Sequence, residues 1–355
     1  MNTAIGLDGF YPEDNLPLLA QRRGMAEWDG GVVRILDRRE LPHQEVFVEC
    51  RSVEEVARAI ENMTIQGAFT LSLAAGYGLA LSVYSAPEHE NPADVLQRSA
   101  QRLRATRPTG LALARMLDAA LAAGQDALAA GQNPVASIVA LVDAAASRLA
   151  VQALATARAA LGVLEGRTRL LTHCFADRSL IYLLLEARRT GVELELFASE
   201  TRPFLQGSRL TALSAVQVGT PVTVLTDGMG GTLMRQGRVD ALVTAADLVC
   251  LDGTVCNKVG TYQFALAARA NSLPYVVLRQ SGPDRECRDE RDIEIEFRDA
   301  TPVLEWRGIR TAPQGVMALY PAFDVTPHTL VTSIVTDRGA FAPERVADYF
   351  DAEPK

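Results

Sequence analysis

Two short apolar runs in this chain end abruptly in residues that can move a proton. Leu170-Leu171-Thr172-His173 leads to the thiol of Cys174, and Thr244-Ala245-Ala246 leads to the carboxyl of Asp247. In open α/β sheets, ligands sit beyond the carboxyl ends of parallel strands, so groups just past two buried strands are placed for chemistry. An apolar surround raises a carboxyl pKa, which makes Asp247 an acid able to stay protonated near neutral pH. The polar turn Ala176-Asp177-Arg178-Ser179 reads as the start of a helix, whose amino end would favour the Cys174 thiolate. A cysteine beside an apolar strand is ordinarily a core residue, and an aspartate there is ordinarily a turn or cap. The pairing lifts both and favours an enzyme over a pure binding module.

Further polar residues close other strand-like runs: Asp227 after Val222–Thr226, and Glu200 after Leu196-Phe197-Ala198-Ser199. Most such residues hold loops. Two arginines stand in similar settings, Arg107 in Thr106-Arg107-Pro108-Thr109 and Arg202 in Thr201-Arg202-Pro203. A guanidinium fork suits phosphate, although a surface salt bridge is the ordinary fate of one arginine. Asn257-Lys258 precedes a helix, where N–H groups and a lysine suit a phosphate, and Gln66-Gly67-Ala68 offers backbone N–H groups before another helix. Gly228-Met229-Gly230-Gly231 lacks the spacing of a dinucleotide loop and reads as a turn.

The elements that must position these groups fall into two textures. Val32–Leu36 and Val46–Val48 are strand-like, and Ser52-Val53-Glu54-Glu55 is a capping box that opens a helix toward Met63. A second helix covers Leu71–Tyr84. From Gly110 to about Gly166, Ala and Leu recur at helical spacing, predicting two or three packed helices, the last from Asn133 to about Leu164. Beyond Gly166, strands at 169–172, 194–198, 222–225, 241–244 and 275–278 alternate with helices at 179–190, 210–218, near Met234, and 261–270. That alternation means βαβ units and a parallel, doubly wound sheet. The expectation is an α/β protein with a mainly helical domain over 1–165 and a Rossmann-like domain over 166–355.

Composition sets bounds. A chain of 355 residues with 48% hydrophobic content can bury two cores. No stretch reads as apolar long enough to span a bilayer, and Met1–Phe10 shows no secretory signal, so a soluble cytoplasmic protein without a membrane partner is expected. Five cysteines without a CxxC pair, and four scattered histidines, argue against a disulfide framework or a metal site. The net charge of −8 without a basic stripe argues against nucleic acid. It leaves room for a phosphorylated small molecule, because a few cations in one cleft reverse the local field.

Together these segments resemble the methylthioribose-1-phosphate isomerases, relatives of the regulatory subunits of translation initiation factor 2B and of ribose-1,5-bisphosphate isomerase. The resemblance runs through Trp28, Ile35–Asp37, Leu41-Pro42, Ala59-Ile60, Met63, Gly67-Ala68, Thr106–Thr109 and Thr172-His173-Cys174. It is densest at Glu200-Thr201-Arg202-Pro203, Gln206-Gly207, Arg209-Leu210-Thr211 and Thr226-Asp227 with Met229. It ends at Ala246-Asp247, Asn257–Gln263 and Pro321–Pro327, the last specific to the sugar-phosphate branch. By this resemblance Cys174 and Asp247 match the catalytic pair. Gln66, Gly67, Ala68, Arg107, Gln206, Asn257 and Lys258 match positions that hold substrate and phosphate. It implies a homodimer, no cofactor and no metal, and conversion of a cyclic aldose 1-phosphate to an open ketose 1-phosphate. Asp247 would protonate the ring oxygen and Cys174 would move hydrogen between C2 and C1.

The chain also departs from the family. Arg-Gly-Ala-Pro is here Gln66-Gly67-Ala68-Phe69, and losing a charge-assisted bond there costs about 1.5–3 kcal/mol of binding. His-Cys-Asn-Ala-Gly is here His173-Cys174-Phe175-Ala176-Asp177, and Gly-Ala-Asp-Arg is Ala245-Ala246-Asp247-Leu248. The Cys174-to-Glu200 interval is short for methylthioribose-1-phosphate isomerases and nearer the other two branches. Two readings follow: a sugar-phosphate aldose–ketose isomerase, and a non-catalytic sensor or scaffold like the initiation-factor relatives. Retention of both Cys174 and Asp247 favours the first; glutamine at 66 favours the second, or a changed substrate.

Overall fold

The computed structural model describes residues 11–353, so the reading of Met1–Phe10 falls outside the described residues. The chain divides into two compact units, Met1–Val151 and Gln152–Lys355.

In the first unit, β1 (Ala26–Trp28), β2 (Val33–Leu36) and β3 (Phe47–Cys50) form an antiparallel sheet in that order. Helix α1 (Val53–Glu61) opens with the expected capping box, Glu55 N–H donating to Ser52 Oγ and Ser52 N–H to the Glu55 carboxylate. Helix α2 (Ala68–Tyr84) starts three residues earlier than its apolar run suggests and is buried on nearly every face. Its all-round apolar character therefore marks a central core helix. Around it stand α3 (Pro92–Arg104), whose mostly polar sequence hid it from hydrophobic periodicity, and α4 (Leu111–Ala129).

Helix α5 (Pro134–Val163) corrects one expectation: by length and composition it could cross a bilayer. Valine, isoleucine and leucine supply most of that apolarity, and charges are few enough that only Asp143 and Arg148 interrupt residues 134–151. Asp143 accepts hydrogen bonds from Tyr77 Oη, at 2.6 Å, and from Arg22.

The second unit is a mixed α/β fold. It contains β4 (Arg169–Thr172), α6 (Asp177–Arg189), β5 (Glu195–Ser199), α7 (Ala212–Val218), β6 (Val222–Leu225), α8 (Gly230–Arg235) and β7 (Ala241–Ala245). There follow β8 (Leu248–Val249), β9 (Val255–Lys258), α9 (Thr261–Ala270), β10 (Tyr275–Leu278), α10 (Thr301–Leu304), β11 (Glu305–Trp306) and β12 (Ile309–Arg310). The unit ends with β13 (Phe323–Thr326), β14 (Ser333–Thr336) and β15 (Gly339–Phe341). The main sheet has seven strands in the order β15-β14-β10-β7-β4-β5-β6, all neighbours parallel except the β14–β15 hairpin. The first strand of this sheet, β4, has its sequence successors β5 and β6 on one side and β7, β10 and β14 on the other. Chain connections therefore diverge between β4 and β7, where a doubly wound sheet opens a crevice.

Three details were not expected. The glycine-rich run 228–231 is only partly a turn, because Gly230 opens α8. Asn257-Lys258 precedes α9 as read, but it lies on β9 of a small antiparallel sheet, β13-β9-β8. Cys250 and Cys287 form a disulfide. The 37-residue separation carries no motif; the pairing comes from backbone geometry, since Leu251 N–H donates to Cys287 O at 2.8 Å.

Candidate active site

Cys174 and Asp247 each stand two residues past the ends of neighbouring parallel strands, β4 and β7. Cys174 has φ 65°, the left-handed region, which costs a non-glycine residue about 1–3 kcal/mol and clusters at functional sites. Its neighbours hold it there: Cys174 N–H donates to Thr201 Oγ1 at 2.9 Å, and Thr211 Oγ1–H donates to Cys174 O at 2.7 Å. Thr201 is itself left-handed, at φ 66°, and is fixed by Asp227, whose carboxylate accepts Thr201 N–H at 2.8 Å and Arg202 N–H at 2.7 Å. Asp227 thus holds a loop. Gly207 presses its backbone onto the same loop: a Cβ there would lie 1.7 Å from Ser199 O.

His173 is buried and joins this strand end to the β9–α9 turn. Its Nε2 lies 2.8 Å from Val259 O, which makes Nε2 the protonated nitrogen, and Nδ1 then accepts from Ser199 Oγ. The turn itself needs glycine, because Gly260 has φ 107° and its Cβ would meet His173 Nε2 at 2.8 Å.

Desolvation dominates the electrostatics. Both key side chains keep partial exposure, yet protein surrounds them on most sides. Burial pushes the Cys174 thiol up to about 11, partly offset by Lys258, and the Asp247 charge adds to the rise. The expected helix-stabilised thiolate is therefore corrected: α6 begins only at Asp177, and loss of water outweighs its dipole. Burial also raises the Asp247 carboxyl, as its apolar approach suggested, against the cations Lys258, Arg298 and Arg279. Lys258 is pushed down by burial and held up by Cys174. Its Nζ donates to Ala322 O at 2.9 Å.

The remaining second-unit residues named from sequence have clear settings. Gln206 is buried, and its Oε1 has no hydrogen-bond partner. Asn257 Nδ2 donates to Thr261 Oγ1 at 3.0 Å. The reading that α9 offers its first N–H groups to a phosphate is corrected, because the Asp324 carboxylate already accepts Gly260 N–H at 2.6 Å and Tyr262 N–H at 3.1 Å. Arg202 donates to the carbonyls of Pro302 and Glu305 and lies over Trp306, so it closes the end of α10. Glu200 is raised, chiefly by desolvation and then by Asp227.

In the first unit, Gly67 is the N-cap of α2 with φ 94°, and Ala68 is the first helical residue. Gln66 Nε2 donates to Met63 O at 3.1 Å while its buried Oε1 lacks a partner. Arg107 donates to Ile60 O at 2.9 Å and touches Met63 Sδ.

Sequence reading missed Glu296, Arg298 and Tyr320, and met Phe323 and Asp324 only as part of the Pro321–Pro327 resemblance, with no role assigned. The alternation Ile293-Glu294-Ile295-Glu296-Phe297-Arg298 was the available signal: it places Glu296 and Arg298 on one side of an extended segment. Among the described residues no three His, Cys, Asp or Glu side chains gather to hold a metal ion.

The sequence pattern of the initiation factor 2 subunit family matches residues 64–343. A methylthioribose-1-phosphate isomerase from Syntrophotalea carbinolica is 38% identical over 88% of this chain and 94% of its own length. One from Anaeromyxobacter sp. is 41% identical over 88% and 93%. Among solved structures, the 5-methylthioribose 1-phosphate isomerase of Pyrococcus horikoshii superposes with a TM-score of 0.76 at 30% identity, covering 94% of this chain and 97% of that one. The delta subunit of translation initiation factor eIF-2B from A. fulgidus gives 0.74 at 30% identity, covering 90% and 96%. The chain belongs to the initiation factor 2 subunit family, together with the methylthioribose-1-phosphate isomerases it resembles over most of its length.

Proposed function

We propose that this protein is an aldose–ketose isomerase of a sugar phosphate, of the methylthioribose-1-phosphate type, serving methionine salvage or a related pentose-phosphate pathway. The observation that carries the proposal is the pairing of a thiol and a desolvated carboxyl at neighbouring strand ends, in a chain similar throughout to proteins named for that reaction. A sensor has no chemical need for that pair, which favours the isomerase over a non-catalytic paralogue. On this reading the second unit is a Rossmann-like domain preceded by a smaller helical one, and the protein works as a cytoplasmic homodimer without cofactor.

An anomeric phosphate blocks ordinary opening of the sugar ring, so the C1–O4 bond must break with acid assistance. Asp247 gives its proton to the ring oxygen as that bond breaks. Cys174, in the minor thiolate form that Lys258 favours, takes the proton from C2 and returns it to C1. The Asp247 carboxylate takes the proton from the C2 hydroxyl as the carbonyl forms. Both groups end as they began, and no electrons leave the substrate. Gln206, Asn257 and Lys258 hold the sugar phosphate on the same reading. Incubation with 5-methylthioribose 1-phosphate, ribose 1,5-bisphosphate and 5-deoxyribose 1-phosphate tests it. Ketose from at least one supports the proposal, and none from any of the three defeats it.

A further inference from the structure

Lys258 and Arg298 share one aromatic ring. Lys258 Nζ lies 4.8 Å from the centroid of Phe323, and Arg298 Cζ lies 5.3 Å from it. Lys258 is only 4% exposed, bonds a carbonyl, and makes no ion pair with a carboxylate among the described residues. Arg298 is gripped at two points by Glu296, Nε to Oε1 at 2.8 Å and Nη2 to Oε2 at 3.1 Å. The backbone locks both cations onto one support. Arg298 N–H donates to Tyr320 O at 3.0 Å, Ala322 N–H donates to Glu296 O at 2.8 Å, and Phe323 begins β13, paired to Lys258 of β9. The segment that carries Arg298 is thus bonded to the one that leads into β13.

Two buried like charges repel strongly where water is scarce. Glu296 offsets one of them. Asp247, the other carboxyl that both cations act on, is driven by burial toward its neutral form. Burial also pushes Lys258 toward its neutral form, so an anion entering beside Cys174 and Asp247 is what would hold both groups charged, and a phosphoryl group is the anion such a pair of cations complements.

We propose that Arg298 is a further substrate-binding residue, the second cation, with Lys258, of a two-point grip on the phosphoryl group of the sugar phosphate. Glu296 is its positioning residue. The assignment rests on the isomerase reading for the sugar, but phosphate binding tests it separately.

The experiment is calorimetric titration of the full-length protein with inorganic phosphate, beside steady-state kinetics on whichever aldose 1-phosphate turns over. Loss of one charge-assisted bond predicts about 10- to 100-fold weaker phosphate binding in Arg298→Met, and a comparable rise in KM with a smaller change in kcat. Arg298→Lys should recover part of the loss, and Glu296→Gln should fall between. Wild-type phosphate affinity in Arg298→Met overturns the proposal, as does absence of saturable phosphate binding by the wild-type chain. Equal defects in Arg298→Lys and Arg298→Met, with kcat and thermal stability falling together, also overturn it by marking a structural role. Should Arg298→Met fail to fold, unchanged phosphate affinity in Glu296→Gln and Arg298→Lys overturns it equally. If phosphate binds as proposed but no sugar phosphate turns over, the isomerase reading fails and the Arg298 assignment stands.

Discussion

Cys174 and Asp247 lie equally far past the ends of adjacent parallel strands, on the two sides of the point where the chain connections of the sheet diverge. Neighbouring strands sit about 5 Å apart, so this shared offset keeps a sulfur and a carboxyl on one edge of the sheet despite their separation in sequence. That placement has consequences for stability, reactivity and rate.

Asp247→Asn should remove turnover without weakening the fold. Burial raises the Asp247 carboxyl, so its ionised form costs stability at neutral pH, and an amide of the same shape carries no such cost. We expect a melting temperature equal to or above that of the wild type at pH 7, with the rate down about 10²–10⁴-fold. Thermal melting beside a turnover assay checks both. A variant that melts lower yet keeps its rate would make Asp247 a structural cap.

Alkylation by iodoacetamide should read the Cys174 thiol directly, because Cys50 and Cys256 are buried and Cys250 is bonded to Cys287. Its rate should rise with pH toward a midpoint near 11. Lys258 lowers that value, so Lys258→Met should move the midpoint upward. A downward move, or none, would show that the ammonium does not act on the sulfur.

Asp324 should make the protein more stable as the pH falls from 7 to 4. Its folded carboxyl is pushed up to about 6 by burial, against an ordinary value of 3.8. Above pH 6 the folded state carries an ionised, desolvated carboxylate; between about 6 and 4 it takes a proton before the unfolded chain does. The gain, relative to Asp324→Asn, should approach about 3 kcal/mol, as urea unfolding at several pH values would measure. Parallel pH curves for the two proteins would remove this cause.

Arg279→Met should cost about 3–5 kcal/mol, because it removes the guanidinium that balances the buried Asp284 carboxylate at 2.9 Å. Arg279 also donates to Ala246 O at 3.2 Å, next to Asp247, so the rate should fall with the stability. Replacing both partners with apolar residues should recover most of the stability and little of the rate.

Much of the scaffold was legible in the sequence because hydrophobic period and turn chemistry are local. The strands at 169–172 and 222–225, the helix at 261–270 and the Ser52–Glu55 capping box follow from neighbours in the chain. Cys174 and Asp247 were visible as polar residues ending apolar runs. Their protonation was half visible: the apolar approach to Asp247 implied its rise, while Cys174 seemed governed by a helix that starts too late to outweigh burial. What stayed hidden depends on pairing between distant segments. Strand β13 meets β9 across more than sixty residues and brings Asp324 to the start of α9. The Cys250–Cys287 bond arises the same way.

One thiol and one protonated carboxyl must carry out the isomerisation together. Proton NMR of purified wild-type protein with 5-methylthioribose 1-phosphate or a related aldose 1-phosphate tests this most directly, with Cys174→Ala and Asp247→Asn run alongside. Ketose resonances should grow with the wild type and be absent with either variant. Ketose formed at the wild-type rate by either variant would contradict a shared role for the two groups.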